Sequence, residues 1–195
     1  GLPWQAGDEI ITTDEENPSF LLPALMLKES HGVKVRFLRL DNDRAVILER
    51  LRALLNPRTR LVAISHVTTD NGIRLPAKEI CDLAHSVGAL VFYDGAQSIG
   101  RFKVDVKEIG CDFYGLLSYK WLLGPYTAGV LYISEDKLDA VKVTLSGERA
   151  DKSIDRVAGT FQLLDTAQRF EYGPHGWPLY FGMAEAARYL QSLGL

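Results

Sequence analysis

The sequence lacks the features that mark membrane, secreted and nucleic-acid-binding proteins. No apolar run approaches the roughly 20 residues that a membrane-spanning helix needs, and no secretory leader is expected. The formal net charge is −3, and the 22 lysines and arginines are scattered along the chain, so no basic patch suited to nucleic acid is expected. We therefore predict a cytoplasmic protein with neither membrane nor nucleic-acid partners.

Cysteines and phosphate-binding motifs are also scarce. Cys81 and Cys111 are too few for a disulfide framework and do not have the spacing of a metal site, so no metal is expected. Neither the dinucleotide-binding pattern G-x-G-x-x-G nor the P-loop pattern G-x-x-x-x-G-K-[ST] occurs. A nucleotide-binding oxidoreductase or kinase is therefore a disfavoured alternative.

What the sequence does contain is a regular alternation of strand-like and helix-like segments. Short apolar runs bounded by turn residues are typical of strands buried on both faces of a parallel sheet, and longer amphipathic stretches indicate helices. The predicted strands are Ile10–Thr13, Val33–Leu40, Arg60–Val67, Leu90–Asp94, Phe113–Leu117 and Ala128–Ile133. The predicted helices are Phe20–Lys28, Ala45–Leu55, Pro76–Val87, Asp136–Val143 and Gly176–Leu193. This order predicts one α/β domain, with a mostly parallel sheet and helices on both faces.

Three segments carry more specific expectations. Pro23 lies near the start of the first predicted helix, so that helix is expected to begin one turn late. The strand Ala128–Ile133 follows its predecessor after a short loop, which favours an antiparallel pairing. The polar stretch Lys142–Phe161 has no clear periodicity and is expected to be an exposed or mobile excursion.

Polar residues follow two of the buried strands. Asp94 and Gln97 stand at the end of one strand, and Ser118, Tyr119 and Lys120 stand at the end of the next. Ligands of parallel sheets bind just beyond the carboxyl ends of the strands. The sequence therefore predicts that an acid, an amide, a hydroxyl and a lysine converge on one crevice.

The chemistry of this set depends on Lys120 and Asp94. A lysine after a strand is most often a solvated charge, but Lys120 has apolar neighbours in Trp121–Leu123 that would favour the neutral, nucleophilic amine. Such a lysine forms Schiff bases with carbonyls. Asp94 could serve as a helix cap, or as a buried acid that keeps a heterocyclic nitrogen protonated. Pyridoxal phosphate needs this pair, an imine-forming lysine and an acid at its ring nitrogen.

Two motifs resemble one enzyme family. Asp94–Gln97 followed by Ser118–Pro125 resembles the class V aminotransferase family of fold-type I pyridoxal-phosphate enzymes, which includes cysteine desulfurases, selenocysteine lyases and isopenicillin N epimerase-like proteins. Gly7–Ile10, Ser65–Val67 and Arg169–Gly173 are similar to further blocks of the family. The resemblance implies an enzyme that acts on an amino acid through a lysine Schiff base, by transamination, racemisation or carbon–sulfur cleavage.

The resemblance also implies a role for each site residue. Lys120 would hold the cofactor and then move the substrate's α-proton, and Asp94 would pair with the pyridinium nitrogen. Gln97 would bond the phenolate oxygen, and Ser118 and Tyr119 would lie near the phosphate. The resemblance places His66 close to the ring, where a purely structural histidine is an equal alternative, and places Asn17 where relatives stack an aromatic residue or histidine on the ring.

Departures from the family pattern favour a second hypothesis. Asn17 replaces a ring-stacking residue, Thr127 replaces a glycine, and Pro174 replaces a threonine that reaches the neighbouring subunit's phosphate. The alternative is a non-catalytic scaffold that keeps the fold, because fold alone does not prove activity.

The resemblance further implies a homodimer. It also implies that residues 1–195 are a pyridoxal-phosphate-binding large-domain core, without the family's amino-terminal phosphate-loop segment and carboxy-terminal small domain.

Overall fold

Six strands form the main sheet in a computed structural model that describes residues 1–195. The strands are β1 (Glu9–Thr13), β2 (Lys34–Leu38), β3 (Thr59–Ser65), β4 (Leu90–Asp94), β5 (Phe113–Leu117) and β6 (Gly129–Ile133). Their spatial order is β2-β1-β3-β4-β5-β6. The first five are parallel, and β6 pairs with β5 in the antiparallel sense. The predicted α/β fold and the antiparallel last strand are confirmed.

Five α-helices connect or flank these strands. They are α1 (Pro18–His31), α2 (Arg44–Leu54), α3 (Ala77–His85), α4 (Val106–Ile109) and α5 (Trp177–Ser192). Asp43 and Asp105 cap α2 and α4 by accepting hydrogen bonds from first-turn N–H groups. Gly32 ends α1 at φ +67°, a left-handed conformation that glycine adopts without steric cost. None of these helices is long and apolar enough to cross a membrane.

The sheet is buried by side chains that alternate between its two faces, as the pleat of a strand requires. Ile11, Ile64 and Tyr93 belong to the larger core cluster, which includes residues of α2 and α3. Their strand neighbours, such as Ile10 and Ala63, belong to a smaller cluster that includes Ala24 of α1. Burying each large aliphatic side chain stabilises the fold by roughly 1.5–3 kcal/mol.

The first helix begins earlier than the sequence predicts. It starts at Pro18 and contains Pro23, so the expectation of a late start is wrong. Pro18 stands in the first turn, where its missing N–H has no intrahelical role, and Asn17 Oδ1 caps the helix by accepting from Ser19 N at 2.9 Å. Pro23 removes only one hydrogen bond, to the carbonyl of Ser19, near the start of the helix.

The region after β6 also differs from expectation. The predicted helix Asp136–Val143 is a short 3₁₀ helix at Glu135–Ala140, and a second 3₁₀ helix lies at Ala167–Phe170. The predicted excursion overlaps an exposed antiparallel hairpin of β7 (Asp151–Asp155) and β8 (Thr160–Leu163), which ends two residues beyond it. The segment is exposed, as expected, but it forms regular β-structure, which the sequence did not predict. Few of these residues are buried, so little apolar patterning marks the strands.

Candidate functional site

The loops that follow β4 and β5 are in direct contact. Gln97 Oε1 accepts a hydrogen bond from Trp121 Nε1 at 2.8 Å. The guanidinium carbon of Arg101 lies 4.5 Å from the centre of the Trp121 ring, within the range of a cation–π interaction. The two segments that carry the predicted site residues are therefore neighbours at the carboxyl edge of the sheet.

Two glycines allow this close approach. A Cβ atom on Gly95 would lie 2.0 Å from the ring of Tyr114. A Cβ atom on Gly100 would lie 2.2 Å from the carbonyl oxygen of Trp121, and Gly100 also has φ +90°. Any side chain at either position would push the loops apart, so the spacing of the site depends on these glycines.

Asp94 keeps one carboxylate oxygen free. It is half-buried at the end of β4, where Oδ1 accepts a hydrogen bond from Ala96 N at 2.8 Å. Oδ2 makes no hydrogen bond, and no cation pairs with the side chain. The hydrogen bond from Ala96 N is the kind that a capping role for Asp94 predicts, but it uses only one oxygen. The other is available to a donor such as a protonated ring nitrogen.

Lys120 lies on a tight turn after β5. Leu123 N donates to Lys120 O at 3.1 Å, and Gly124 N donates to Ser118 O at 2.8 Å, which closes the turn. The Lys120 side chain is half-buried, and its Nζ has no hydrogen-bond or ion-pair partner. Leu122 is buried but Trp121 is exposed, so the apolar enclosure expected around the lysine is partial. The amine is free to react with a carbonyl.

Ser118 and Tyr119 precede the lysine, and only the hydroxyl of Ser118 is engaged in a hydrogen bond. Ser118 is fully buried, and its hydroxyl donates to the carbonyl of Pro125. To reach a phosphate, that hydroxyl would have to turn away from Pro125. Tyr119 stacks on Tyr126 with ring centres 4.5 Å apart, and its own hydroxyl makes no hydrogen bond.

Thr127 adopts the conformation that a glycine would favour. Its φ is +68°, which is rare for a β-branched residue. Leu123, in the same loop, has φ +62°. The departure from the family's glycine therefore leaves backbone strain next to the lysine turn, as is common around functional sites.

Asn17 uses its side-chain oxygen as the cap of α1. It follows the carboxyl end of β1, so it lies at the same edge of the sheet as Asp94. The capping bond fixes the amide at the start of the helix, and its nitrogen remains unbonded.

His66 packs among aromatic rings on the face of the sheet that carries α2 and α3. It is 2% exposed, its ring lies within 6 Å of those of Tyr93, Phe102 and Tyr114, and its Nδ1 is 2.9 Å from the Tyr114 hydroxyl. Burial, with a smaller effect of the Arg74 charge, lowers the pKa of His66 to about 4, so the ring is neutral. It borders a cavity of about 480 Å³ at the start of α3. This packing fits a purely structural role for His66.

The two cysteines lie away from the lysine turn and are structural. Both are buried, and burial raises the pKa of each thiol to about 12. Neither is a reactive thiolate at neutral pH.

Glu16 is a buried acid of this edge that the sequence did not single out. Its carboxylate accepts hydrogen bonds from Thr13 and from both the backbone and the hydroxyl of Ser65. It belongs to the acidic run Asp14–Glu16, in which no pattern indicates which of three consecutive acids is buried.

The whole chain matches a family model. The match is to the family described as aminotransferase class-V, over residues 1–195. The chain belongs to the class V aminotransferase family. The family predicted from the Asp94–Gln97 and Ser118–Pro125 motifs is thus confirmed.

Relatives of this class V chain include bacterial and archaeal cysteine desulfurases. A cysteine desulfurase of Enterobacter sp. (strain 638) is 37% identical over 190 residues, covering 97% of this chain and 46% of the relative. A cysteine desulfurase of Haloferax volcanii is 32% identical over 189 residues, covering 97% and 44%. The chain therefore spans about half the length of the relatives it matches.

Solved structures agree with the sequence relatives of this class V chain. The apo cysteine desulfurase of Thermococcus onnurineus NA1 matches with a TM-score of 0.87 at 30% identity, covering 98% of this chain and 47% of that one. The complex of the cystine C-S lyase C-DES with cysteine persulfide matches with a TM-score of 0.89 at 30% identity, covering 98% and 52%. A C-DES mutant carries glycine covalently linked to the PLP cofactor and matches with a TM-score of 0.88 at 30% identity, covering 98% and 51%.

The free groups of the site fit this cofactor. Two contacting loops carry the unpartnered amine of Lys120, the free Oδ2 of Asp94 and the unbonded amide nitrogen of Gln97. These are the groups that an aldehyde carbon, a ring nitrogen and a ring oxygen require.

Proposed function

We propose that this chain is the pyridoxal-phosphate-binding core of an enzyme that acts on an amino acid. The observation that carries the proposal is the pairing of the unpartnered Lys120 amine with the half-free Asp94 carboxylate at the ends of adjacent strands. The match to the class V family over the full chain supports it. Cysteine is the first candidate substrate, because the similar proteins are named for cysteine and cystine chemistry.

Each loop residue has a definite part in this proposal. Lys120 would hold the cofactor at its aldehyde carbon, and its amine, when free, would carry the proton at the substrate's α-carbon. Asp94 Oδ2 would accept a hydrogen bond from the protonated ring nitrogen. Trp121 holds the oxygen of the Gln97 amide, so the amide nitrogen is oriented to donate to the ring oxygen. When bound, the cofactor supplies an electron-withdrawing ring that stabilises negative charge at the α-carbon.

The remaining predicted residues lie around this centre. Ser118 and Tyr119 would contact the phosphate, Asn17 would face the ring, and His66 would support the loop behind it. We further propose a cytoplasmic homodimer, with residues 1–195 as the large-domain core, as the family resemblance implies.

The sulfur chemistry that this chain can support is also limited. Because Cys81 and Cys111 are buried and protonated, neither can accept sulfur from a substrate. Carbon–sulfur cleavage by residues 1–195 would therefore release sulfide from a thiol substrate, or a small persulfide from a disulfide substrate, without a sulfur adduct on this chain.

The test is a search for a cofactor bond at Lys120. The protein is mixed with pyridoxal phosphate, its visible absorbance is recorded before and after borohydride, and the peptides are analysed by mass. We expect a reducible adduct on the Lys120 peptide, absent in Lys120→Ala and present in the control Lys142→Ala, whose lysine lies on another segment. A wild-type protein that stays colourless, or one labelled only on other lysines, would contradict the proposal and leave the scaffold hypothesis.

A further inference from the structure

Glu16 is a buried carboxylate whose oxygens are held by two side chains and one backbone group. It is 9% exposed. Oε1 accepts from Thr13 Oγ1 and from Ser65 N, both at 2.8 Å, and Oε2 accepts from Ser65 Oγ at 2.6 Å. An unbonded buried carboxylate would be costly, and these three donors offset that cost.

The position of Glu16 in the sheet is informative. The strand order places β1 between β2 and β3, so the chain leaves β1 toward β2 on one side while β3 lies on the other. Open α/β sheets bind ligands at such a switch point, beyond the carboxyl ends of the strands. Glu16 joins the two sides there, since it follows β1 and bonds to the last residue of β3.

Glu16 is also linked to the predicted cofactor residues. Ser65 is paired with Asp94 across β3 and β4, and Asn17 is the next residue in the chain. The Glu16 carboxylate thus connects two parts of the predicted site. On one side is Asn17, which is predicted to face the ring, and on the other is β3, the strand beside Asp94.

The hydrogen bonds favour the ionised form of Glu16. One of the three donors is the backbone N–H of Ser65, which can only donate, and the other two are hydroxyls that can donate to a carboxylate. Burial raises the pKa of Glu16, the bonds from Ser65 and Thr13 oppose this shift, and the Asp94 charge raises it further. The effect of the Asp94 charge shows that the two carboxylates lie close enough to interact electrostatically.

We propose that Glu16 is a positioning residue of the cofactor site, whose fixed charge adds to that of Asp94 and favours protonation of the cofactor. This inference rests on the proposed function. No cation of the chain pairs with Glu16, so its charge is left to act on whatever binds at this edge. A role limited to tying β1 to β3 would need an acceptor but not a charge.

The test separates the charge of Glu16 from its hydrogen bonds. The readout is the pH midpoint of the absorbance change of the lysine-bound cofactor. Glu16→Gln keeps the shape and removes the charge, so the midpoint should fall by roughly 0.5–1 pH unit. Ser65→Ala keeps the carboxylate and the backbone bond but removes one donor that favours its ionised form, so the midpoint should stay or fall by less than in Glu16→Gln. Glu15→Gln removes a neighbouring charge that bonds to Asn71 instead, and should leave the midpoint within about 0.2 unit.

The possible outcomes are distinct. If Glu16→Gln loses stability while its midpoint equals that of the wild type, Glu16 is only structural and the inference is overturned. If Ser65→Ala lowers the midpoint as much as Glu16→Gln does, loss of the hydrogen bonds and not of the charge explains both shifts, and the inference is again overturned. If Glu16→Gln does not fold, Glu16→Asp must restore the wild-type midpoint in a folded protein, and a lowered midpoint there contradicts the proposal. A wild type that forms no adduct refutes the proposed function itself.

Discussion

The amino and carboxyl edges of the main sheet each hold an acid at a strand end, and the two acids differ in how fully they are bonded. At the amino edge Asp112 accepts from Val91 N at 2.7 Å, contacts His85 Nε2 at 2.9 Å and lies 3.9 Å from Lys137 Nζ. At the carboxyl edge Asp94 has one hydrogen bond and a free oxygen. Both hydrogen bonds of Asp112 go to Oδ2, and the Lys137 ammonium lies near Oδ1, so this acid is paired with two basic side chains of the protein. Asp94 has no basic partner and is therefore open to a ligand.

The same contrast is visible in the backbone. The turns before β4 and β5 reach positive φ at Gly88 and Gly110, where the conformation has no steric cost. The loop after β5 reaches positive φ at Leu123 and Thr127, where it does. The amino edge is therefore relaxed, while the carboxyl edge holds strain beside the lysine turn.

The largest effect that tests this comparison is on stability. Asp112 is 3% exposed, so Asp112→Asn removes a buried carboxylate that bonds to Val91 N and to His85, and should lower the free energy of unfolding by roughly 2 kcal/mol. Asp94→Asn disturbs one hydrogen bond at a half-buried site and should cost less than about 1 kcal/mol. Urea unfolding of both variants measures the difference. Equal losses would mean that the two edges do not differ as described.

A smaller, pH-dependent effect concerns His85. Its hydrogen bond to Asp112 raises the pKa of His85 above its ordinary value, and partial burial opposes this. A raised histidine pKa contributes stability below the ordinary value near 6.5, and the contribution is lost as the pH rises through the folded-state pKa. The wild type should therefore exceed His85→Gln in stability most clearly at about pH 6, and the gap should narrow by about pH 8.

The size of that effect is limited by solvent. The His85 side chain is 39% exposed, so screening weakens the pair. Unfolding curves at the two pH values are sufficient for the comparison. A gap that widens with rising pH would contradict the assignment of the His85–Asp112 bond as a stabilising charged pair.

The strand ends were predictable from sequence because polar residues interrupt buried apolar runs there. Asp94 and Ser118 each follow such a run, and the carboxyl ends of neighbouring parallel strands meet at one edge of a sheet. Contact between the loops that carry these residues could therefore be expected from the amino-acid order alone. The six strands of the sheet were also predicted, although β2 and β6 are less buried than the strands between them.

Other features depend on tertiary contacts that leave no local pattern. Glu16 is buried only because β3 supplies Ser65, and nothing in Asp14–Glu16 distinguishes it. Pro23 fits inside α1 because the helix is fixed from Asn17 onward. The hairpin β7–β8 escaped prediction because its strands are short and exposed, and β7 (DKSID) contains a single apolar residue.

The most direct test of the difference between the two edges is the rise in unfolding temperature that pyridoxal phosphate produces. A ligand that binds only the folded state raises this temperature, and tighter binding gives a larger rise. We expect a clear rise in the wild type, a similar rise in His85→Gln, and a much smaller one in Asp94→Asn despite its near-normal stability. An equal rise in Asp94→Asn and the wild type would show that the free carboxylate of the carboxyl edge does not bind the cofactor.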